Sequence, residues 1–144
     1  MTASIKNIKL SVAYSFQGRW EESIRRGDIR VFFRKRRPVS LPSRVFFYVG
    51  SPVKSIIGCS DVEAVNEVTL CEAISIRGDG AITENELIEY IGEKETIHAI
   101  WIGAPMIFNE PYTLEDMNRE FGFNPPQSFS IVGESFDLAL SRKL

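Results

Sequence analysis

VFFYVGSPVKSIIGCSDVEAV, residues Val45–Val65, consists of two apolar runs divided by Gly50, Ser51 and Pro52. Val45–Pro52 reads as a buried strand, because its apolar side chains run on without polar alternation until Gly and Pro close it. Val53–Val65 reads as the strand that follows. Upstream, Ile8, Leu10 and Val12 alternate with Lys9 and Ser11, the period of a half-buried strand. The spacing predicts a short helix over Arg19–Arg26, with Trp20 and Ile24 on its buried side and Gly27 at C′. Ile29–Arg36 then reads as another strand. Downstream, Leu70–Ile76 fits either a short helix or a turn. Thr83, Glu84, Asn85 and Glu86 have capping-box spacing, with Leu87, Ile88 and Ile91 behind them and Gly92 to end the helix. Ile97–Phe108 reads as one long strand with Pro105 at a bulge or an edge. Thr113–Phe121 reads as a helix with Leu114, Met117 and Phe121 on one face, ended by Gly122. The segment from Gly133 fits a helical tail or a frayed end. Helices do not alternate strictly with strands, which disfavours a doubly wound parallel sheet. Many strands around one core predict an α+β mixed β-barrel with short helices packed on it.

The length of 144 residues suits one domain, and 44% hydrophobic content is enough for a core without metal or disulfide staples. Residues 1–132 are expected to form it, with 133–144 as a C-terminal tail. Cys59 and Cys71 are too few for a disulfide framework and show no metal-ligand spacing, so they read as reduced thiols of a cytoplasmic protein. The first residues lack the apolar stretch of a signal peptide, and no run has the ~18 apolar residues of a membrane helix. No cofactor and no metal are expected.

Charge is unevenly divided. Residues 1–60 carry 12 basic and 3 acidic side chains, a net +9; residues 61–144 carry 5 and 16, a net −11. Nine of the 17 Lys and Arg fall between Arg19 and Arg44, around the run Arg30–Arg37 with Phe32 and Phe33 inside it. A basic region holding aromatics suggests a polyanionic ligand. The structural alternative is an edge strand charged against aggregation. In a strand, Arg30, Phe32, Arg34 and Arg36 would share one face, opposite Ile29, Val31 and Phe33. An aromatic flanked by guanidinium groups suits stacking on an unpaired base while phosphates are neutralised. Equally, Phe32 could pack under the helix while the arginines meet the acidic second half.

Three stretches, in order, resemble an ASCH domain of the PUA-like superfamily, in its small stand-alone prokaryotic form. SFQGRWEESIRRGD (Ser15–Asp28) running into FFRKR (Phe32–Arg36) is similar to the family's strand, helix and glycine before an aromatic and basic run. YVGSPVKSIIG (Tyr48–Gly58) resembles its strand, Ser-Pro-Val-Lys, apolar run and Gly; FGFNPPQSF (Phe121–Phe129) resembles its Pro-Pro-Gln-Ser-Phe ending. IHAIWIG (Ile97–Gly103) sits where such proteins carry a strand ending in Ile-Gly. The resemblance spans about residues 8–132. It implies a PUA-like β-barrel with a cleft, an RNA- or nucleotide-binding role in RNA metabolism or regulation, and enzymatic activity in some members. The family hallmark G-x-K-x-x-E, aligned on Gly27, has Ile29 at its Lys position and Phe32 at its Glu position. The Lys and Pro often found before the helix align with Gln17 and Gly18. Activity on modified cytidines needs that Lys, so it is not carried over.

Other candidates join the arginine cluster. Pro125 and Pro126 hold the backbone extended before Gln127 and Ser128, whose amide and hydroxyl both donate and accept. Ser51 and Lys54 flank Pro52 where a strand exits, and a hydroxyl with an ammonium suits a phosphate. Gln17 and Arg19, on the helix side, complete the expected binding set. His98, the only histidine, reads as a hydrogen-bonded core or cleft-wall residue. Glu84, Glu86, Glu89, Glu93 and Glu95 read as a solvated face. The leading expectation is a non-catalytic module that binds RNA or a nucleotide-type ligand, with no membrane partner and no oligomeric state fixed. One alternative is an enzyme on a modified nucleoside, with a rearranged set such as Arg30, Ser51 and Glu63. Another is a module whose basic half docks on an acidic protein.

Overall fold

Among the described residues there are seven strands: β1 (Ser11–Phe16), β2 (Val31–Arg34), β3 (Arg44–Val49), β4 (Ser55–Thr69), β5 (Thr96–Ile102), β6 (Met106–Thr113) and β7 (Phe129–Val132). Five short helices, α1 (Glu21–Arg26), α2 (Leu70–Ile76), α3 (Glu84–Ile91), α4 (Leu114–Phe121) and α5 (Glu134–Ser141), pack around them. The structure, a computed structural model, describes residues 10–144. Ile8, where the first alternation was expected to begin, lies outside the described residues.

The long strand β4 organises the sheet. Its first half pairs antiparallel with β3 on one side and β6 on the other; its second half pairs antiparallel with β5. The hydrogen-bonded path runs β2-β5-β4-β3-β1-β7, with β6 off it on β4. β1 and β3 are parallel, a connection that crosses through α1 and β2. The architecture is the expected mixed α+β one, with the hydrogen-bonded path open between β2 and β7 rather than closed.

The sheet curls so that one face of it becomes an interior. Val12, Tyr14 and Phe16 of β1, Val45, Phe47 and Val49 of β3, Ile100 and Ile102 of β5, and Phe32 of β2 meet there with Ile24 of α1. The reverse face of β1 and β3 is covered as well, by Met117 of α4 and Phe136 and Leu140 of α5. The reverse face of β2 and β5 is covered by Ala73 of α2 and Leu87 and Ile91 of α3. β1, β2 and β3 are therefore buried on both sides, which is why Val45–Val49 lacks alternation.

Local signals fix the helices. Thr83 and Glu86 form the expected capping box, and Thr69 and Glu72 form a second one that starts α2, so Leu70–Ile76 is a helix. Gly27 ends α1 at φ 76°, a left-handed conformation that costs a residue with Cβ about 1 kcal/mol or more. Two expectations change, and one choice between alternatives is resolved. Ile29–Arg36 shortens to the four residues of β2. Ile97–Phe108 divides into β5 and β6, because Gly103–Pro105 interrupts pairing and the chain turns back to β4. The segment after Gly133 is the helix α5, whose Phe136 packs against Phe121, Phe123 and Tyr112.

Candidate functional site

Where β1 ends, the chain turns through a 3-10 segment at Gly18–Trp20 into α1. This turn lies against the β3–β4 turn so closely that a Cβ on Gly18 would collide with the Ser51 carbonyl oxygen. The peptide bond from Ser51 to Pro52 is cis. Beside these turns opens a cavity of about 1210 Å³, walled by the ends of β1 and β2, by α3, and by residues 125–128.

Eight of the ten residues singled out from the sequence line this cavity: Gln17, Arg19, Phe32, Arg34, Arg36, Ser51, Gln127 and Ser128. Arg30 and Lys54 do not. Arg30 precedes β2, and its Nε points back to the Ile102 carbonyl at 3.4 Å. Lys54 is exposed with φ 45°, and its carbonyl accepts from the Leu114 N–H at 2.8 Å. Ser51 and Lys54 thus do not share one phosphate-sized site on the cavity wall. Of the rearranged set Arg30, Ser51 and Glu63, only Ser51 lines the cavity; Glu63 sits by Gly103.

The expected single ribbon of Arg30, Phe32, Arg34 and Arg36 is also corrected. Only Phe32 and Arg34 belong to β2. Phe32 is 5% exposed and packs edge-on against Tyr14 and Phe16, ring centroids 5.2 and 5.1 Å away. The face predicted to look outward looks into the curl of the sheet, where Phe32 is nearly buried although it contributes to the cavity lining.

Arg34 is the unusual member. Its guanidinium lies over the rings of Phe16, Phe32 and Tyr14, at 4.6, 5.0 and 5.7 Å from the centroids. Nη1 donates to its neighbour's carbonyl at Phe33 (2.8 Å) and Nη2 to the Ser15 carbonyl (2.9 Å). No carboxylate pairs with it among the described residues, and residues 1–9 contain no acidic side chain. Burial lowers its pKa, an effect opposed by the Tyr90 and Tyr14 hydroxyls. Burial also pushes the Tyr14 hydroxyl up to about 12. Arg34 is thus a cation held on an aromatic floor by backbone carbonyls alone.

The rim differs from the floor. Lys35 and Arg36 are exposed and have no ion-pair partner among the described residues. Lys35 Nζ lies 5.0 Å from the Tyr90 ring centroid, and its backbone N–H donates to the Tyr90 hydroxyl at 3.1 Å. Arg19 pairs with Glu86 of α3 and covers Trp20 at 4.1 Å. The Pro125–Ser128 wall is tied to β1 by the Ser15 hydroxyl, which donates to the Pro126 carbonyl at 2.6 Å.

Sequence reasoning missed Tyr48, Glu86, Glu89 and Tyr90 as lining residues. Glu86 and Glu89 stand at i and i+3 and read from the sequence as one solvated face, while Tyr90 at i+4 is not singled out there. That face borders the cavity rather than bulk solvent alone. His98 lies outside the cavity, and its buried Nδ1 has no hydrogen-bond partner, contrary to the expectation that it is satisfied. Its pKa is lowered, chiefly by burial and further by Arg37. Among the described residues, no three His, Cys, Asp or Glu side chains are placed to hold a metal ion, and no helix is long and apolar enough to cross a membrane.

No protein-family model and no curated protein matches the sequence. Solved structures do match. ASCH from Zymomonas mobilis superposes with a TM-score of 0.84 at 24% identity, covering 92% of this chain and 94% of that one. The N-terminal domain of Staphylothermus marinus McrB follows at 0.62 and 10% identity, covering 93% and 94%. Rpa0253 from Rhodopseudomonas palustris gives 0.55 at 13% identity, covering 93% and 92%. The strand order, the curled sheet and these superpositions together show that this chain has the mixed α+β fold seen in ASCH from Zymomonas mobilis.

Proposed function

We propose that the cavity binds RNA or a nucleotide-type ligand, and that the protein acts in RNA metabolism or regulation as a binding module. The observation that carries this reading is Arg34. A partly buried guanidinium with no carboxylate beside it gains when an acceptor-rich ligand enters the cavity that it lines. Aromatic side chains and guanidinium planes are the surfaces on which unpaired bases stack, and Lys35 and Arg36 stand at the same cavity to neutralise phosphates. The ASCH fold of the Zymomonas mobilis protein supports a nucleic-acid role by analogy of architecture alone. Two unpaired cysteines, Cys59 buried and Cys71 exposed, support a cytoplasmic setting.

Fluorescence anisotropy of a labelled single-stranded RNA, titrated between 50 and 300 mM salt, tests the proposal. If about four phosphates are contacted, log K falls against log salt with a slope near −3. Binding that is absent, or indifferent to salt, refutes it.

A further inference from the structure

The base that enters the cavity can be narrowed, on the reading of that cavity as a nucleotide site. A guanidinium carries five N–H donors and no acceptor. Two of Arg34's five are spent on the Phe33 and Ser15 carbonyls, and the other three have no acceptor among the described residues. The group can therefore be completed only by acceptor atoms, and its fork geometry favours two adjacent ones. Guanine offers O6 beside N7, and cytosine offers O2 beside N3. Adenine sets an amino group beside N1 and N7, and uracil sets a donating N3–H between its carbonyls. Arg34 thus matches an edge that only two of the four bases possess.

The rest of the cavity agrees. Glu89 lines it and has no ion pair among the described residues, so its carboxylate is free to accept from an amino group. Guanine and cytosine both carry one and uracil does not. A phosphate on Arg34 is disfavoured, because it would have to leave water for a floor of Tyr14, Phe16 and Phe32 while sharing the cavity with Glu86 and Glu89. The exposed Lys35 and Arg36 offer it a solvated alternative. We infer that the cavity selects an unpaired guanine or cytosine over adenine and uracil, with Arg34 reading the carbonyl and its neighbouring ring nitrogen.

Direct binding of labelled RNA octamers to the full chain tests this. A cytidine octamer, and a uridine octamer with one central guanine, should bind about 5- to 150-fold more tightly than the uridine octamer, the discrimination usual for a bidentate contact. Arg34→Met should bring the cytidine octamer to the uridine level. An octamer of 3-deazacytidine, in which C–H replaces N3, should do the same with the unaltered protein. That second arm decides the matter if Arg34→Met fails to fold. Equal affinity for the cytidine and uridine octamers overturns the inference and leaves the RNA-binding proposal standing. A preference that survives both changes overturns the role of Arg34. No binding of any octamer overturns the proposed function itself.

Discussion

Replacing Phe32 by Ala separates a core ring from a stacking platform. The side chain is 5% exposed, and it meets Tyr14 and Phe16 edge-on and the Arg34 guanidinium at 5.0 Å. Its removal takes a ring out of the interior packing formed by β1, β2, β3 and β5 beside the cavity. Phe→Ala changes in such settings cost about 3–5 kcal/mol. For a domain of this size each kcal/mol lowers Tm by roughly 4 °C, so a drop of about 12–20 °C is expected. Phe32→Leu keeps most of the volume and should cost less than about 1.5 kcal/mol. Thermal melts followed by circular dichroism measure both, and RNA anisotropy well below each Tm measures binding. Phe32→Leu should retain RNA affinity within about threefold, since so little of the side chain is exposed to a ligand and a shift that small is under 1 kcal/mol. A Phe32→Ala protein that melts within 2 °C of the parent yet loses RNA binding would refute the reasoning, because the ring would then be a ligand surface.

Three further outcomes are expected. Leu140→Ala should lower stability by about 2–5 kcal/mol in a denaturant titration, because Leu140 is fully buried between α5 and the sheet; an unchanged midpoint would mean that α5 is a dispensable tail. Gly18→Ala should force the first turn away from Ser51, costing about 1–3 kcal/mol by overpacking and weakening RNA binding; wild-type values for both would show that the two turns do not touch. The Glu86 carboxylate is held below its usual range, first by the Thr83 backbone N–H and then by the Thr83 hydroxyl and Arg19. Its folded pKa lies below the unfolded value, so its contribution is present above about pH 4.3 and is lost as pH falls through the folded pKa. Glu86→Gln should therefore be the less stable protein at pH 7 and should converge on the parent as pH falls through the folded pKa; a gap that persists in acid would contradict the assignment.

Much of the fold was legible because its signals are local. The Thr83 capping box, the glycines after α1 and α4, and the unbroken apolar run of β3 each needed only a few neighbouring residues. The division at Gly103–Pro105 was not legible, since an apolar run broken by one proline fits a bulged strand as well as two strands that pair with the same neighbour. The facing of β2 was misread for a similar reason. Period-two alternation groups Phe32 with Arg34, but it says nothing of a sheet that curls until both faces of a strand are covered. The cavity residues gathered from four separate stretches were found by their chemistry. Glu89 and Tyr90 were not, because on an isolated helix an acidic face bordering a cleft looks the same as one bordering solvent.

The pairing of β1 with β7 has a consequence for synthesis. Ser11 stands opposite Val132 across the β1–β7 pair, so two strands from opposite ends of the described residues are neighbours. At 5–20 residues per second, roughly 6 to 24 s pass before the ribosome delivers that partner. Throughout that interval Val12, Tyr14 and Phe16, all interior in the finished molecule, must wait on a nascent chain with one edge unpaired. Pairing of β1 with β7 therefore comes late in synthesis, and its yield should depend on holdase protection of the emerging β1 segment.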